Sequence, residues 1–330
     1  MSPRFNLPGA LLACMIASAS CASVGGVPTD ERDQRYAARC KAAPRAAPPY
    51  ATPQPIWPTV TQDTQVEGFS RESLAFAGLL DIGPLVGRIP LTEAEVEQKR
   101  VGAVLRLMIL RQEIMQAILL ASLETSSVAV EVRCEQARAD RLADEMEEAQ
   151  SRRFARLTLT SILLTTLTSV VTGGLTLVGE SVADGVVAVT GGALGGMFGG
   201  LALWDIRDHK FHHRRNHLKD IWEGPDRSEL FPDVVWRFLN RRVGGADEKS
   251  LREQLIDDWK GKGRLGDQGS ENEHKHIALL FGEGGTYGIK DLRARTEMLD
   301  DLGTTIDLFY EELEHFARET MKRRPIAVLE

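Results

Sequence analysis

Two long stretches without a single ionisable side chain constrain this sequence more than any other feature. Residues 157–179 read LTLTSILLTTLTSVVTGGLTLVG, and residues 185–204 read GVVAVTGGALGGMFGGLALW. Each run approaches the roughly 20 residues that an α-helix needs to cross the hydrocarbon core of a bilayer. Only ESVAD, residues 180–184, separates them, enough for a tight turn. The pair reads as an apolar helical hairpin over 157–204. A buried hairpin of a water-soluble fold is the alternative, but two adjacent charge-free runs of this length favour an apolar, membrane-type setting.

The second run carries the pattern GGxxGGxxGG. Gly191, Gly195 and Gly199 lie four apart, and so do Gly192, Gly196 and Gly200. Residues four apart share a helix face, so these glycines form two adjacent bare stripes. In water each glycine costs about 1 kcal/mol of helix propensity against alanine. In a membrane or a tight bundle the bare stripe lets a second backbone approach closely. Ser161, Thr165, Ser169 and Gly173 give the first run a matching small, weakly polar stripe. The six glycines are therefore the candidate helix-packing residues.

The N-terminus has the layout of an export signal over residues 1–20. Arg4 supplies one positive charge, the stretch to Ser20 is apolar or small, and Cys21 follows ASAS. A basic start, an apolar middle and a small-residue end are what a signal peptide requires. The cysteine directly after the small residues resembles a bacterial lipobox, whose cysteine becomes the lipid-modified N-terminus. That resemblance makes Cys21 the candidate lipidation site, although Ser18 stands where the pattern prefers leucine. Leu11-Leu12-Ala13-Cys14 fits the pattern better but leaves a very short apolar region.

Four cysteines occur in the 330 residues. If Cys14 leaves with the signal and Cys21 is acylated, Cys40 and Cys134 remain. In an oxidising compartment they are candidates for a disulfide; two free thiols are the alternative. The net charge of −7 argues against broad affinity for nucleic acid.

The rest divides by composition. Residues 21–90 read as a tether, proline-rich over 44–58, which favours extended chain. Phe69 to Leu80 is a short helix with Ser70 as its cap, and Gly83, Pro84, Gly87 and Pro90 break the chain. Residues 91–156 read as one long helix, opened by a Thr92/Glu95 capping box. Its apolar face is Val101, Val104, Leu105, Met108, Ile109, Met115, Ile118 and Leu119. From Glu135 to Arg156 charges occur all round, as on a helix surrounded by water. Residues 205–330 read as a C-terminal domain of several helices, with apolar positions at 234–239, 251–259, 277–281 and 292–316. The fold class is mainly α.

No feature names a reaction. There is no serine or cysteine nucleophile signature, no dinucleotide fingerprint and no specific zinc motif, so no catalytic residue, cofactor or metal is assigned. Helical spacing would align His209, His213 and His217. Lys210, Arg214 and Arg215 oppose a cation there, and the segment reads as a basic membrane boundary anchored by Trp204. The glycine cluster at 282–288 lacks the ending of a phosphate loop and reads as a turn between helices.

The glycine-rich stretch 186–203 and the lipobox-like leader together resemble bacterial glycine-zipper envelope lipoproteins. That resemblance implies a structural or assembly role in the cell envelope, membrane lipid as a contact, and self-association or an envelope protein as partner. The long helix and the large C-terminal part depart from that family. A second layout, similar to α-helical pore-forming toxins, has a helical bundle displaying an apolar hairpin that inserts into a bilayer. Arg152, Arg153 and Arg156 precede the hairpin, and Arg207, Lys210, Arg214 and Arg215 follow it. The positive-inside rule would keep both flanks in the cytoplasm. The leader and the proline-rich tether favour export and lipid anchoring in the cell envelope.

Overall fold

The computed structural model describes Cys40 and residues 66–176, 208–242, 248–267 and 269–323. The protein is mainly α-helical: eight helices and two short strands occur among these residues. The chain divides into two compact units, one of residues 1–35 and 141–209, the other of residues 36–140 and 210–330.

In the second unit, α1 (Arg71–Leu79) begins as the sequence suggests. Ser70 caps it, its hydroxyl accepting from the amide of Ser73 at 3.1 Å. Its end is closed by Asp81 in a left-handed conformation, φ 59°. The Ile82 amide reaches back to the Ala77 carbonyl and the Asp81 amide to Gly78, which satisfies the carbonyls a helix end leaves open.

Residues 66–90 are not tether. After α1 comes α2 (Gly83–Glu97), with Pro84 in its first turn and Pro90 inside it. Proline suits the first turn, where its missing N–H is no loss. Pro90 is carried because packing overrides propensity: Val86 and Ile89 are buried. Thr92 lies within α2 and is no cap, since its hydroxyl donates to the Arg88 carbonyl at 2.9 Å. The break falls later. Lys99 takes φ 54° and Gly102 φ 74°, and the Arg100 amide closes on the Glu95 carbonyl.

The long helix α3 therefore runs Ala103–Thr176, 74 residues. Its buried face in this unit is Leu107, Leu110, Ile114, Ile118, Ala121, Val128 and Val132. Most of the face expected to pack is instead the exposed one; Leu105, Met108, Met115 and Leu119 all face outward. Both faces have helical period, and the sequence alone does not rank them.

Strand β1 (His209–His212) is followed by α4 (His217–Glu223), α5 (Asp233–Asn240), α6 (Leu251–Gly261), α7 (Glu271–Phe281), β2 (Gly284–Tyr287) and α8 (Ile289–Lys322). The two strands pair. Residues 209–212 are thus extended, not helical, and 284–287 are a strand, not a turn. Gly284 explains the second point. At φ 98°, a Cβ there would lie 2.2 Å from the Phe211 carbonyl oxygen, so only glycine lets the two backbones meet.

Helix α8 organises the body. Leu292, Met298, Leu299, Leu302, Ile306, Phe309, Leu313 and Phe316 are buried at spacings of three and four. It packs on α1, α5, α6, α7 and β2. It also runs antiparallel to α3: Arg293 meets Asp140, Gln136 meets Asp300, Arg133 meets Asp307, and Tyr310 reaches Ser122. Phe76, Phe238 and Phe316 surround Phe309 or one another at 5.1–6.1 Å between ring centres.

The first unit is described from residue 141 to 176 as the C-terminal half of α3, and at His209. Leu142, Ala143 and Met146 are buried, whereas Phe154, Leu159 and Ile162 are exposed. Among the described residues no helix is long and apolar enough to cross a membrane. The second run of the hairpin, with Gly191, Gly192, Gly195, Gly196, Gly199 and Gly200, lies outside the described residues, as does Cys21.

Candidate functional site

The densest polar chemistry lies where β1, β2, α4, α7 and α8 meet the face of α3. Phe211 is wholly buried at the centre. The guanidinium carbon of Arg138 sits 4.1 Å from its ring centre and that of Arg295 5.8 Å away. Tyr287 meets the same ring edge-on at 5.4 Å. A ring face attracts cations through its quadrupole, so Phe211 helps hold two arginines inside the protein.

Arg295 has no exposure. Its Nη1 donates to Asn216 Oδ1 and to the Leu280 carbonyl, each at 3.2 Å. Among the described residues no carboxylate forms an ion pair with it. Burial lowers its pKa, and the nearby Tyr287 and Glu135 work against that. Arg138, also buried, donates to Glu135 at 3.3 Å and to the His212 carbonyl at 3.1 Å.

His213 is the hub. Its Nδ1 lies 2.9 Å from the Gly282 carbonyl and 3.0 Å from Asn216 Nδ2, and its Nε2 lies 2.8 Å from the Tyr287 hydroxyl. Tyr287 in turn donates toward the Leu279 carbonyl at 2.8 Å. Burial, then the charge of Arg295, holds His213 down at about 3. Burial likewise raises Tyr287 above its ordinary value. At neutral pH both are uncharged. One ring proton is then shared between the contacts to Gly282 and Tyr287, so the tautomer of His213 and the rotor of Tyr287 are coupled.

A second buried pair lies beside the first. Glu131 forms an ion pair with Arg215 at 3.2 Å and lies 3.3 Å from Nε2 of His217, which packs edge-on against Phe231. Glu131, Glu135 and Arg138 share one face of α3. Charges all round the helix from residue 135 onward suggest exposure to water, but Glu135 and Arg138 are buried. Val128, Val132 and Ala139 on the same face were the signal that Glu135 occupies a seam position.

Chemically the arrangement fastens elements together. Asn216 Nδ2 donates to the Leu280 carbonyl at 2.9 Å and to Gly282 at 3.0 Å, satisfying the end of α7. The alignment of His209, His213 and His217 fails because β1 is extended: His213 turns to Tyr287 and His217 to Glu131. Among the described residues no group of three metal-ligating side chains converges.

Cys40 and Cys134 are joined in a disulfide, with Cα atoms 5.5 Å apart across a sequence separation of 94. The bond ties Cys40 to the middle of α3. No known family, characterised protein or solved structure matches this chain.

Proposed function

We propose that this chain is a lipid-anchored protein of the bacterial cell envelope with a structural or assembly role, its hairpin packing or oligomerising through the glycine stripes. The observation that carries the reading is the Cys40–Cys134 bond. Disulfides persist in oxidising compartments and are rare in the cytosol, so the bond supports export. Closing a loop of about 100 residues is worth up to about 4–5 kcal/mol in the chain-entropy account, which suits a body meant to endure outside the cell.

The position of the bond supports anchoring as well. Cys40 stands 19 residues after Cys21, a span of at most about 68 Å at 3.3–3.6 Å per residue. A lipid on Cys21 would hold the helical body near the surface through a crosslink and not through a loose tail. The buried polar groups favour a structural role over catalysis. His213 and Tyr287 are held uncharged, and Glu131, Glu135 and Arg138 answer neighbouring side chains.

Labelled palmitate tests the anchor in the full chain. Wild type takes up label and Cys21→Ser does not; equal labelling of the two rejects Cys21 and points to Cys14. Protection of the C-terminal part from protease in intact spheroplasts would overturn export. Leakage of liposomes that depends on the hairpin would favour the membrane-inserting alternative.

A further inference from the structure

The N-terminal half of α3 is apolar on two opposite faces. One face, through Leu107, Leu110 and Ile114, is buried in its own body. The other carries Leu105, Met108, Met115, Leu119, Leu123 and Val130, which are 42–61% exposed. Taken at 100° per residue, this outward strip holds no charged residue between 105 and 130. A helix apolar all round is normally buried all round. The arginines on its flanks select no partner, because Arg106 pairs with Glu95 and Arg111 with Glu93 inside the chain. The path of the chain itself does select one.

One segment has both of its ends fixed beside the strip. Cys134 lies within about 20–40° of Leu105, Leu123 and Val130 around the helix. Its bond to Cys40 therefore fastens the chain at the C-terminal end of the strip. At the other end of the segment Val66 is buried, and the carbonyl of Glu67 accepts from Arg323. Arg323 also donates to Glu93 at 2.8 Å, and Glu93 accepts from Arg111 at 3.0 Å. Arg111 stands one helical turn from Met108 and from Met115. The chain thus rejoins the body beside the N-terminal end of the same strip.

We infer that residues 46–62 dock along this strip, running from Cys134 toward Arg111 and so antiparallel to α3. They belong to the 25 residues 41–65, which lie outside the described residues. Cys134 and Arg111 are 23 residues apart on α3, about 35 Å at 1.5 Å per residue. A free chain of 25 residues spans about 25–30 Å by itself. The ends are pinned at close to that distance, so the segment meets the strip at an effective concentration in the mM range. Its chemistry suits the strip. Residues 46–62 carry no charge, five prolines, and Tyr50, Ile56, Trp57 and Val60. An apolar strip cannot answer backbone donors, and proline has none. Proline also lowers the entropy lost on docking. As a polyproline helix these 17 residues reach about 53 Å, enough to cover the roughly 38 Å from Leu105 to Val130. At three residues per turn Tyr50, Pro53 and Ile56 share one edge, and the thioethers of Met108 and Met115 suit aromatic partners. The inference rests on the crosslink and on neither the lipid nor the glycine stripes.

Photo-crosslinking of the full, oxidised chain in detergent tests it. Benzoylphenylalanine replaces Leu119, an exposed side chain whose loss leaves the buried face of α3 intact. Unlabelled and heavy-isotope-labelled protein are mixed before irradiation, and the products are identified by peptide mapping. The expected adduct joins position 119 to a peptide within residues 46–62 of the same copy. Tyr50→Ser combined with Trp57→Ser loses that adduct and keeps the helical signal of the body. An adduct between light and heavy copies would overturn the segment as occupant in favour of a second copy. An adduct to another peptide or to detergent alone, no adduct at all, or an equal yield in the double variant would overturn it too. The same map reports the bond: loss of the adduct with Cys40 still joined to Cys134 overturns the docking and leaves the export reading standing.

Discussion

The hydroxyl of Tyr287 lies 2.8 Å from Nε2 of His213, joining β2 to the turn after β1 across 74 residues. The contact belongs to a histidine that stays neutral because it is buried among arginines, and that has a consequence for acid stability. His213 ordinarily titrates at 6.5 and is held at about 3 in the folded chain. The unfolded chain binds the proton first as pH falls. Stability from this group is complete above pH 6.5 and is lost progressively as pH falls toward 3. At roughly 1.4 kcal/mol per pH unit, the loss reaches a few kcal/mol. Between pH 6.5 and 4.5 most carboxylates remain charged, so their protonation adds little there, and the variant His213→Gln isolates His213 from the other histidines. The melting temperature of wild type should fall over that window, and His213→Gln should show a flatter profile there. Parallel profiles would remove His213 as the cause.

Asn216 answers four buried groups at once: Leu280, Gly282, His213 and Arg295. Its loss strands polar atoms that water cannot reach. Asn216→Ala is expected to cost about 2 kcal/mol or more, since an unsatisfied buried group costs about 1–3 kcal/mol. Chemical denaturation measures it, and a change within about 0.5 kcal/mol, the range of an ordinary surface substitution, would show that the cluster does not hold the elements together.

Gly284→Ala separates a turn from a close strand contact. A turn glycine facing open space tolerates alanine at about 1 kcal/mol. Here the new methyl meets the Phe211 carbonyl at 2.2 Å, and left-handed strain adds to it. A loss of at least about 2 kcal/mol is expected, with the strand pair the first part to exchange its amide hydrogens.

Much of the C-terminal body was legible. The period of α8 is plain in its leucines and phenylalanines, and Ser70 announces α1. The starts and stops before α3 were not. Glycine or asparagine is the usual sign of a left-handed helix end, but Asp81 and Lys99 take that conformation here. Prolines 84 and 90 read as breakers, and only the burial of Val86 and Ile89 shows why a helix survives them. Strand β1, His-Lys-Phe-His, offers one apolar side chain in four residues. The hub around His213 was hidden for another reason: Asn216 and Arg295 stand 79 residues apart, and no local pattern relates them.

The glycine stripes make a prediction of opposite sign to helix propensity. On an exposed helix, Gly195→Leu should stabilise by a large part of 1 kcal/mol. In a close-packed seam it should cost about 1–3 kcal/mol by overpacking. The proposed function requires the second result, read as lost detergent-resistant association of the full chain. A variant that associates as well as wild type would remove the seam.

The proposed export places the Cys40–Cys134 crosslink, which locks the helical body, outside the cytosol. Peptide mapping of the full-length protein, alkylated in intact cells and digested without reduction, tests it most directly. The account predicts a Cys40 peptide joined to a Cys134 peptide, with neither alkylated. Recovery of both cysteines fully alkylated before any reductant is added would contradict it.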